Sequence, residues 1–395
     1  MFKKENSLKI LVLGADGYLG WPTAMYFSSK GHNVCAIDNF SKRKLELELG
    51  TEPLIKLPSL HERVKKWNKK SKKKIRLLIG DLLNARFVYK TLSEFKPDAI
   101  IHYAEQPSAP YSMVGREQAV FTQHNNVIGN LNLLFAIKSV VPNAHLVKLG
   151  TLGEYGTPNI DIEEGYIKIK HNGREDVLPF PKKPGSFYHL SKVHDSHNIL
   201  LACDIWKIRA TDLNQGVVYG IDTELSKYEE NFHTSFHYDQ IFGTVLNRFC
   251  VQAILNLPLS VYGDGDQIRG YLNIVDTIKC VEIAIQNPSQ KGEFRVFNQF
   301  TETFSVNQIA ELVVKAAKII NLDVKVKKLK NPRIEMAKHY YNPKNTNLLD
   351  LGLKPVLLNE DVIIRILKTV DKFKKNVIKS SILPTIKWNN KNKIS

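Results

Sequence analysis

The arrangement of segments near the start of the chain constrains the fold more than any other feature. A short apolar run, Lys9 to Leu13, leads directly into glycines at positions 14, 17 and 20. A helical pattern then runs from about Tyr18 to Lys30, and a second apolar run spans Asn33 to Ile37. A strand, a glycine turn, a helix and a second strand in this order form the unit from which parallel sheets are built.

Glycines in such a turn let the backbone approach a pyrophosphate closely, and the helix N-terminus directs N–H groups and partial positive charge at it. A lone glycine pattern is weak evidence, but here it follows a strand and opens a helix. The sequence therefore predicts a dinucleotide cradle at Gly14, Gly17, Tyr18 and Gly20.

Similar apolar runs recur along the first half of the chain, separated by helix-length segments: Ile75–Ile79, Ala99–Tyr103, His145–Leu149 and Arg209–Leu213. Repeated alternation of this kind predicts an α/β fold, a Rossmann-type doubly wound parallel sheet with a smaller C-terminal α/β substrate-binding lobe. We expect an NAD-binding domain over 1–215 with insertions at 43–74 and 157–183. A sugar-nucleotide-binding lobe follows over 216–370, with some segments returning to the first domain, and then a basic tail over 371–395.

Two smaller features complete this prediction. An Asn172-Gly173 pair between two alternating segments predicts a hairpin inside the second insertion. Ser305 to Ile320 has the spacing of one amphipathic helix in the smaller lobe.

The net charge of +17 is concentrated in two stretches of the chain. Glu62 to Arg76 and Asp371 to Ser395 hold most of the excess lysines. Neither stretch alternates basic residues with aromatic ones, which disfavours a nucleic-acid partner. We expect these lysines to form solvated surface, and an anionic partner is the alternative.

The four cysteines are far apart and form no C-x-x-C pair, so neither a metal site nor a disulfide framework is expected. No apolar run approaches the ~18 residues of a membrane span. The first apolar segment is shorter than the ~7–15 residues of a signal-peptide core. These observations predict a cytoplasmic protein without a membrane partner.

Asp38, at the end of the second strand, favours NAD over NADP, because a carboxylate accepts hydrogen bonds from a ribose and repels a 2′-phosphate. Nearby Arg43 weakens this preference, and Asp81 could instead cap a helix. The remaining cofactor-binding residues expected along this crevice are Asn39, Leu82, Tyr103, Ala104, Asn125, Tyr188 and Lys192.

Tyr188 and Lys192 are four residues apart, so a helix would place them on one face. A phenol with an ordinary pKa of about 10 is a poor base at neutral pH. An adjacent ammonium favours the phenolate and is expected to lower the phenol's pKa. Together with Thr151 at the end of the fifth strand, these residues form the candidate catalytic group.

This order of motifs resembles the extended short-chain dehydrogenase/reductase family, in its sugar-nucleotide branch. The resemblance implies that Thr151, Tyr188 and Lys192 are catalytic and that NAD stays bound through each turnover. It also implies homodimers or higher homo-oligomers. The positions that match the branch's substrate-binding segments are Thr151, Asn214, Gln215, Gln267, Arg269 and Arg333.

Dehydratases of this branch follow the catalytic Thr with an Asp-Glu pair, which is absent from Thr151-Leu-Gly-Glu154. Longer segments, including the hairpin insertion, are similar to a sulfosugar-forming member of the branch, in which an Arg stands at the position of Pro107. That resemblance implies UDP-glucose and sulfite as substrates, with sulfite free or delivered by a protein. The implied steps are C4 oxidation, C5–C6 dehydration, sulfite addition at C6 and C4 re-reduction.

The acid and base for the middle steps are less clearly indicated. Glu154 and His189 are candidates, although Glu154 could instead anchor the hairpin and His189 could lie on a helix surface. A UDP-glucose 4-epimerase or 4,6-dehydratase is the enzymatic alternative. A non-catalytic NAD-binding regulatory protein is the alternative from another class.

Overall fold

The computed structural model describes residues 7–333, 340–386 and 388. The predicted basic tail, 371–395, is therefore described through position 386 and at 388. Positions 387 and 389–395 lie outside the described residues. The strands are β1 (Lys9–Leu13), β2 (Asn33–Asp38), β3 (Ile75–Ile79), β4 (Ala99–His102), β5 (His145–Thr151), β6 (Tyr166–His171), β7 (Arg174–Pro179), β8 (Arg209–Gln215), β9 (Val217–Tyr219), β10 (Leu259–Tyr262), β11 (Ile268–Asn273), β12 (Phe294–Gln299), β13 (Glu302–Ser305) and β14 (Val326–Leu329).

The helices are α1 (Gly20–Ser29), α2 (Ser41–Leu49), α3 (Leu60–Ser71), α4 (Ala85–Phe95), α5 (Ala109–Ser112), α6 (Arg116–Gln123), α7 (Gly129–Val140), α8 (Phe187–Trp206), α9 (Val245–Ile254), α10 (Ile274–Gln286), α11 (Val306–Ile319), α12 (Thr346–Asp350) and α13 (Glu360–Phe373). One π-helical segment, His124–Ile128, joins α6 to α7.

A seven-stranded parallel sheet in the order β12-β8-β5-β4-β1-β2-β3 forms the centre of the molecule. Apolar side chains of α4, α7 and α8 pack on one face of this sheet, and those of α1, α3 and α10 pack on the other. Such coverage buries the inner strands β1, β2 and β4 on both faces, which is why they contain continuous apolar runs. The strand order reverses between β1 and β4, and ligands bind at such a point outside the carboxyl ends of the strands.

The smaller lobe has its own core, in which α9, α11 and α13 pack together. A three-stranded sheet, β13-β11-β9, and a two-stranded parallel pair, β10-β14, belong to this part of the chain. The Ser305 hydroxyl and the Gln308 side chain form a capping box that fixes the start of α11.

The predicted Rossmann-type fold is confirmed, and each predicted strand of the first half is present to within two residues at its end. The hairpin is also present as β6 and β7, with Asn172 and Gly173 both at positive φ as a two-residue turn requires. The seventh strand, β12, was not predicted. Its sequence Phe-Arg-Val-Phe-Asn-Gln contains three polar residues, whereas β1, β2 and β4 contain continuous apolar runs.

Helix α3 shows how the basic insertion is accommodated. Leu60, Val64 and Trp67 are buried against the main sheet, whereas the lysines of this helix and of the turn after it are exposed. Among the described residues, no helix has the length and apolarity needed to cross a membrane.

Candidate active site

A cavity of about 540 Å³ lies at the carboxyl ends of the central strands, at the point where the strand order reverses. It brings together residues from the glycine turn, from the ends of β2 to β5 and from α8. Of the predicted cofactor-binding residues, all but Lys192 line it: Gly14, Gly17, Tyr18, Gly20, Asp38, Asn39, Arg43, Asp81, Leu82, Tyr103, Ala104, Asn125 and Tyr188. Thr151, Gln215 and Pro107 line it as well.

The glycine turn has no room for side chains at two positions. A Cβ at Gly20 would lie 2.0 Å from the Gly14 carbonyl oxygen, and Gly14 itself has φ +80 and lies against the Tyr103 backbone. No side chain caps the start of α1, so the N-terminus of this helix is open to a ligand. A crevice that only glycine can form at a free helix N-terminus fits the pyrophosphate of NAD.

Asp38 receives two backbone N–H groups, from Asp16 at 2.8 Å and from Phe40 at 2.7 Å. Burial raises its pKa to about 6, although these hydrogen bonds oppose the rise. Asp16 forms ion pairs with Arg43 at 2.5 Å and with the fully buried Arg63 at 3.2 Å. Arg63 belongs to the insertion, so sequence reasoning could not connect it with this site.

The Ser186 hydroxyl caps α8, and this helix carries Tyr188 and Lys192 as predicted. The Lys192 Nζ lies 5.7 Å from the centre of the Tyr188 ring. It also lies 2.5 Å from a Glu105 carboxylate oxygen and donates to the Leu149 carbonyl oxygen at 2.7 Å. Lys192 acts to lower the pKa of Tyr188, as expected, but the net pKa of Tyr188 is raised. Burial raises this pKa, and Glu105 opposes the effect of Lys192.

Charged side chains are packed beneath α8, between the helix and the main sheet. Lys148 on β5 is fully buried, with its ammonium 3.9 Å from Glu154 and 3.8 Å from Asp212. Asp195 is also fully buried, and burial raises its pKa well above the ordinary value. We call this set the buried charge cluster, and its members are Glu105, Lys148, Glu154, Lys182, Lys192, Asp195 and Asp212.

Glu154 belongs to this cluster and is absent from the cavity lining. One of its oxygens lies 2.5 Å from the Lys182 ammonium and accepts the Ser196 hydroxyl at 3.0 Å. The other accepts the Thr151 backbone N–H at 3.3 Å. Burial would raise the pKa of Glu154, but Lys182 and Lys148 hold it at about 2. Because Lys182 follows β7 directly, Glu154 connects the hairpin to the end of β5.

His189 lies beside the same turn, with its Nδ1 2.9 Å from the Ser186 hydroxyl and its Nε2 over Gly153. Burial lowers its pKa to about 3, and the positive charges of Arg333 and Arg269 add to this effect. The imidazole is therefore neutral at physiological pH and lies within electrostatic reach of both arginines.

The other predicted substrate-binding residues are placed differently. The Asn214 side chain donates to the Tyr155 hydroxyl at 2.7 Å, and that of Gln267 donates to the Tyr262 carbonyl oxygen at 3.1 Å. Both side chains are buried, and neither residue lines the cavity.

Asn126 is a further residue that sequence reasoning missed. It lies in the π-helical segment beside the cavity-lining Asn125, and its side chain is fully buried. Its carbonyl oxygen accepts the Gln106 backbone N–H at 2.8 Å, and its amide donates to the Ser191 hydroxyl at 2.9 Å. Asn126 therefore ties the loop after β4 to the helix that carries Tyr188.

Within residues 7–333, 340–386 and 388, no group of three or more His, Cys, Asp and Glu side chains is arranged to hold a metal ion. The four cysteines are buried, and none of them forms a disulfide.

A family model described as the NAD dependent epimerase/dehydratase family matches residues 10–298. The chloroplastic UDP-sulfoquinovose synthase of Spinacia oleracea is 52% identical over 380 residues, which cover 96% of this chain and 79% of that protein. The UDP-sulfoquinovose synthase of Sulfolobus acidocaldarius is 44% identical over 385 residues, 96% of this chain and 98% of that one.

Solved structures with the same fold include the UDP-glucose 4-epimerase of Thermotoga maritima with UDP-glucose. It has a TM-score of 0.67 and 18% identity, and the match covers 92% of this chain and 98% of that one. The UDP-glucose 4-epimerase of Bifidobacterium longum in complex with NAD+ and UDP has a TM-score of 0.68 and 18% identity, covering 93% and 99%.

The chain belongs to the NAD-dependent epimerase/dehydratase family and, within it, to the UDP-sulfoquinovose synthase family. Its cofactor is NAD, as the sequence predicted.

Proposed function

We propose that this chain combines UDP-glucose with sulfite to form UDP-sulfoquinovose and water. The observation that carries the proposal is its identity of 52% with the spinach UDP-sulfoquinovose synthase over 96% of the chain. The site supports it, because Tyr188 and Thr151 line the same cavity as the glycine turn.

Bound NAD would accept a hydride from C4 of the glucose unit and return it at the end of the turnover. Tyr188 removes the proton of the C4 hydroxyl as a general base and later returns it. Thr151 hydrogen-bonds to the same oxygen, and Lys192 fixes the phenol. The resulting C4 ketone makes the proton on C5 acidic, so that water can leave across C5–C6 and sulfite can add at C6.

Of the two candidates for the middle steps, His189 suits proton transfer better than Glu154. Burial and the positive charges of Arg333 and Arg269 hold its pKa at about 3, so the imidazole is neutral but weakly basic. A substrate diphosphate bound to the two arginines would offset their charge and make the imidazole a stronger base. Glu154 is enclosed by Lys182, Ser196 and the Thr151 backbone, which suits the role of hairpin anchor. We therefore propose that His189 removes the C5 proton. Glu154 holds the backbone of Thr151 in place.

Arg269 and Arg333 are assigned to the diphosphate of UDP-glucose. Planar guanidinium groups form paired, charge-assisted hydrogen bonds with phosphate oxygens. Both arginines lower the pKa of His189, so their charges lie close to the catalytic helix. This supports a location of the diphosphate near the sugar-binding end of the site.

The test is mass analysis of the nucleotide sugar formed from UDP-glucose with and without sulfite. We expect UDP-sulfoquinovose only when sulfite is present, and NAD released on denaturing the protein. A new sugar nucleotide formed equally well without sulfite would instead indicate an epimerase or a dehydratase. Turnover with free sulfite would also show that no sulfur-donating protein is required.

A second copy of the chain is the partner proposed for the apolar face formed by α6, α7 and α8. Exposed apolar residues occur on all three elements, and a groove of about 700 Å³ lies between α6, α8 and the segment joining α6 to α7. These exposed side chains are Val120, Ile128, Phe135, Phe187, Leu201 and Ile205. Large exposed apolar patches mark interfaces, and two-fold dimers are the commonest oligomers. Sedimentation of wild type and of Leu201→Glu would test this.

The proposed location is the cytoplasm, a reducing compartment that suits four free cysteines. The spinach relative is described as chloroplastic. Fractionation of the cells that make this protein would decide between the two.

A further inference from the structure

Glu105 is a buried carboxylate that none of the predicted roles includes. It lies three residues after the end of β4, and its backbone N–H donates to the Tyr103 carbonyl oxygen at 2.8 Å. Its side chain is 2% exposed, yet the residue lines the cofactor cavity. Glu105 thus lies between the cavity and the catalytic helix.

Glu105 forms an ion pair with Lys192. The Lys192 ammonium is held by two fixed acceptors, a Glu105 oxygen at 2.5 Å and the Leu149 carbonyl oxygen at 2.7 Å. The loop that carries Glu105 is itself tied to α8, because Asn126 hydrogen-bonds to both the Gln106 backbone and Ser191. The orientation of Lys192 is therefore determined jointly by the loop after β4 and by β5.

The charges around this ion pair are closely balanced. His102 on β4 lies 3.7 Å from Glu105, and burial lowers its pKa to about 4, so it adds no positive charge at neutral pH. Burial opposes the ionisation of Glu105, but Lys192 and Lys148 lower its pKa, and it remains a carboxylate. The titratable groups that act on Tyr188 from the surrounding elements are Lys192 on α8, Glu105 after β4, Lys148 on β5 and Glu154 after β5, with Asp195 on α8 acting on Glu105 in turn.

We propose that Glu105 is a positioning residue of the catalytic group: it orients the Lys192 ammonium and offsets its charge, and so determines the pH at which Tyr188 becomes a base. The proposal rests on the role of Tyr188 in the proposed function. Without Glu105, the phenol would lose the negative charge that most strongly opposes the effect of Lys192 on it. The Tyr188 and Lys192 pair would then release its proton at a lower pH.

The experiment compares wild type, Glu105→Gln and Glu105→Asp with a control, Asp276→Asn. Asp276 is a buried carboxylate that accepts the Val356 backbone N–H at 2.9 Å, away from the catalytic group. The NAD-loaded proteins are mixed with UDP-glucose in the absence of sulfite across a range of pH, and the rate of nicotinamide reduction is followed by absorbance. This step is shared by synthase, epimerase and dehydratase, so its outcome does not depend on whether sulfite is the second substrate.

We expect the midpoint of the pH–rate profile of Glu105→Gln to move to lower pH by about one unit, the effect of a single neighbouring charge inside a protein. Glu105→Asp keeps the negative charge but moves it away from Lys192, because the side chain is shorter. The midpoint of its pH–rate profile should therefore move to lower pH by a smaller amount. The midpoint of Asp276→Asn should stay at the wild-type value. A tyrosinate absorbance titration of each protein, compared with its Tyr188→Phe counterpart, reports the same shift without turnover.

A Glu105→Gln profile that coincides with the wild-type profile would overturn the proposal. A loss of rate at every pH with an unchanged midpoint would also overturn it, since that is the result of a merely structural role. If Glu105→Gln does not fold, the Glu105→Asp arm decides, and wild-type rate and midpoint in that variant would refute the role. Failure to form UDP-sulfoquinovose from sulfite, with the expected shift in midpoint, would refute the proposed function alone.

Discussion

The cofactor cradle and the buried charge cluster are built in different ways. The cradle consists of backbone from one short stretch, in which Gly14 and Gly20 leave room for a ligand. The cluster consists of side chains from β4, β5, α8, β8 and the segment after the hairpin. Backbone N–H groups at a helix N-terminus attract a phosphate of any origin, whereas a set of paired charges fixes one arrangement of side chains.

The balance of charge within the cluster sharpens this contrast. Four carboxyl groups, Glu105, Glu154, Asp195 and Asp212, face three ammonium groups, Lys148, Lys182 and Lys192, in the part of the chain that the structure describes. Burial raises the pKa of both Asp195 and Asp212. The cluster is therefore closest to neutral when one of these aspartates holds a proton.

The largest effect is expected from Gly20→Ala in the cradle. The new Cβ would lie 2.0 Å from the Gly14 carbonyl oxygen, which is backbone and cannot move aside alone. We expect the purified variant to release no NAD on denaturation and to form no product. The matched control is Gly185→Ala, because a Cβ there has no neighbour within 4 Å. Normal NAD content in Gly20→Ala would show that the cradle is not the cofactor site.

Tyr188→Phe should have the next largest effect, and it separates the cradle from the catalytic group. Removing a general base typically lowers the rate about 10²–10⁴-fold. We expect a loss of this size in turnover with NAD content unchanged, because the phenyl ring still fills its place beside Lys192. The measurement is kcat together with the nucleotide released on denaturation. Turnover within tenfold of wild type would remove Tyr188 from its assigned role.

The two regions also differ in how far the sequence predicts them. The cradle is local, since strand, glycines and helix follow one another, and every residue predicted for it lines the cavity. The pair Tyr188 and Lys192 could be placed on one helix because its spacing equals one helical turn. The hairpin could be predicted from the positive φ that Asn-Gly favours.

The cluster could not be predicted in the same way. Glu105 and Lys192 come together only because the sheet places the end of β4 beside α8, and no local spacing encodes that contact. The same reason explains why the net effect on the pKa of Tyr188 was predicted with the wrong sign. The effect of Lys192 could be inferred from its spacing to Tyr188. The burial of Tyr188 and the opposing charge of Glu105 depend on the packing of distant segments.

Glu154→Gln tests whether the cluster stabilises the fold. The substitution removes the carboxylate that lies 2.5 Å from the Lys182 ammonium and leaves Lys148 its ion pair with Asp212, which should lower the free energy of unfolding by about 3 kcal/mol. Urea unfolding at neutral pH measures this difference. The control is Glu94→Gln, which removes an exposed ion pair with Arg76 and should cost at most about 1 kcal/mol.

The pH dependence of that difference has a definite sign. The folded-state pKa of Glu154 is lowered from 4.5 to about 2, so its stabilising effect is complete above the unfolded value. It is lost as the pH falls from 4.5 toward about 2. The gap in stability between wild type and Glu154→Gln should therefore narrow on acidification below 4.5. A gap that widens with acid would contradict the paired state of Glu154.

The smallest expected effect is on cofactor choice, through Asp38→Ser at the end of β2, next to the cradle. Loss of the carboxylate removes both the acceptor for the adenosine ribose and the repulsion of a 2′-phosphate, while Arg43 remains nearby. We expect the Kd for NAD to rise about tenfold, or about 1.4 kcal/mol, and the preference over NADP to narrow. Asp98→Ser is the matched control. Asp98 also accepts a backbone N–H, from Lys9 at 2.7 Å, but it lies at the amino ends of the strands, away from the cavity. Burial raises the pKa of Asp38 to about 6, so acidification below that value should narrow the preference of the wild type in the same direction. A preference that is insensitive to both the substitution and the pH would place cofactor selection outside the end of β2, and the cradle would then specify only the pyrophosphate.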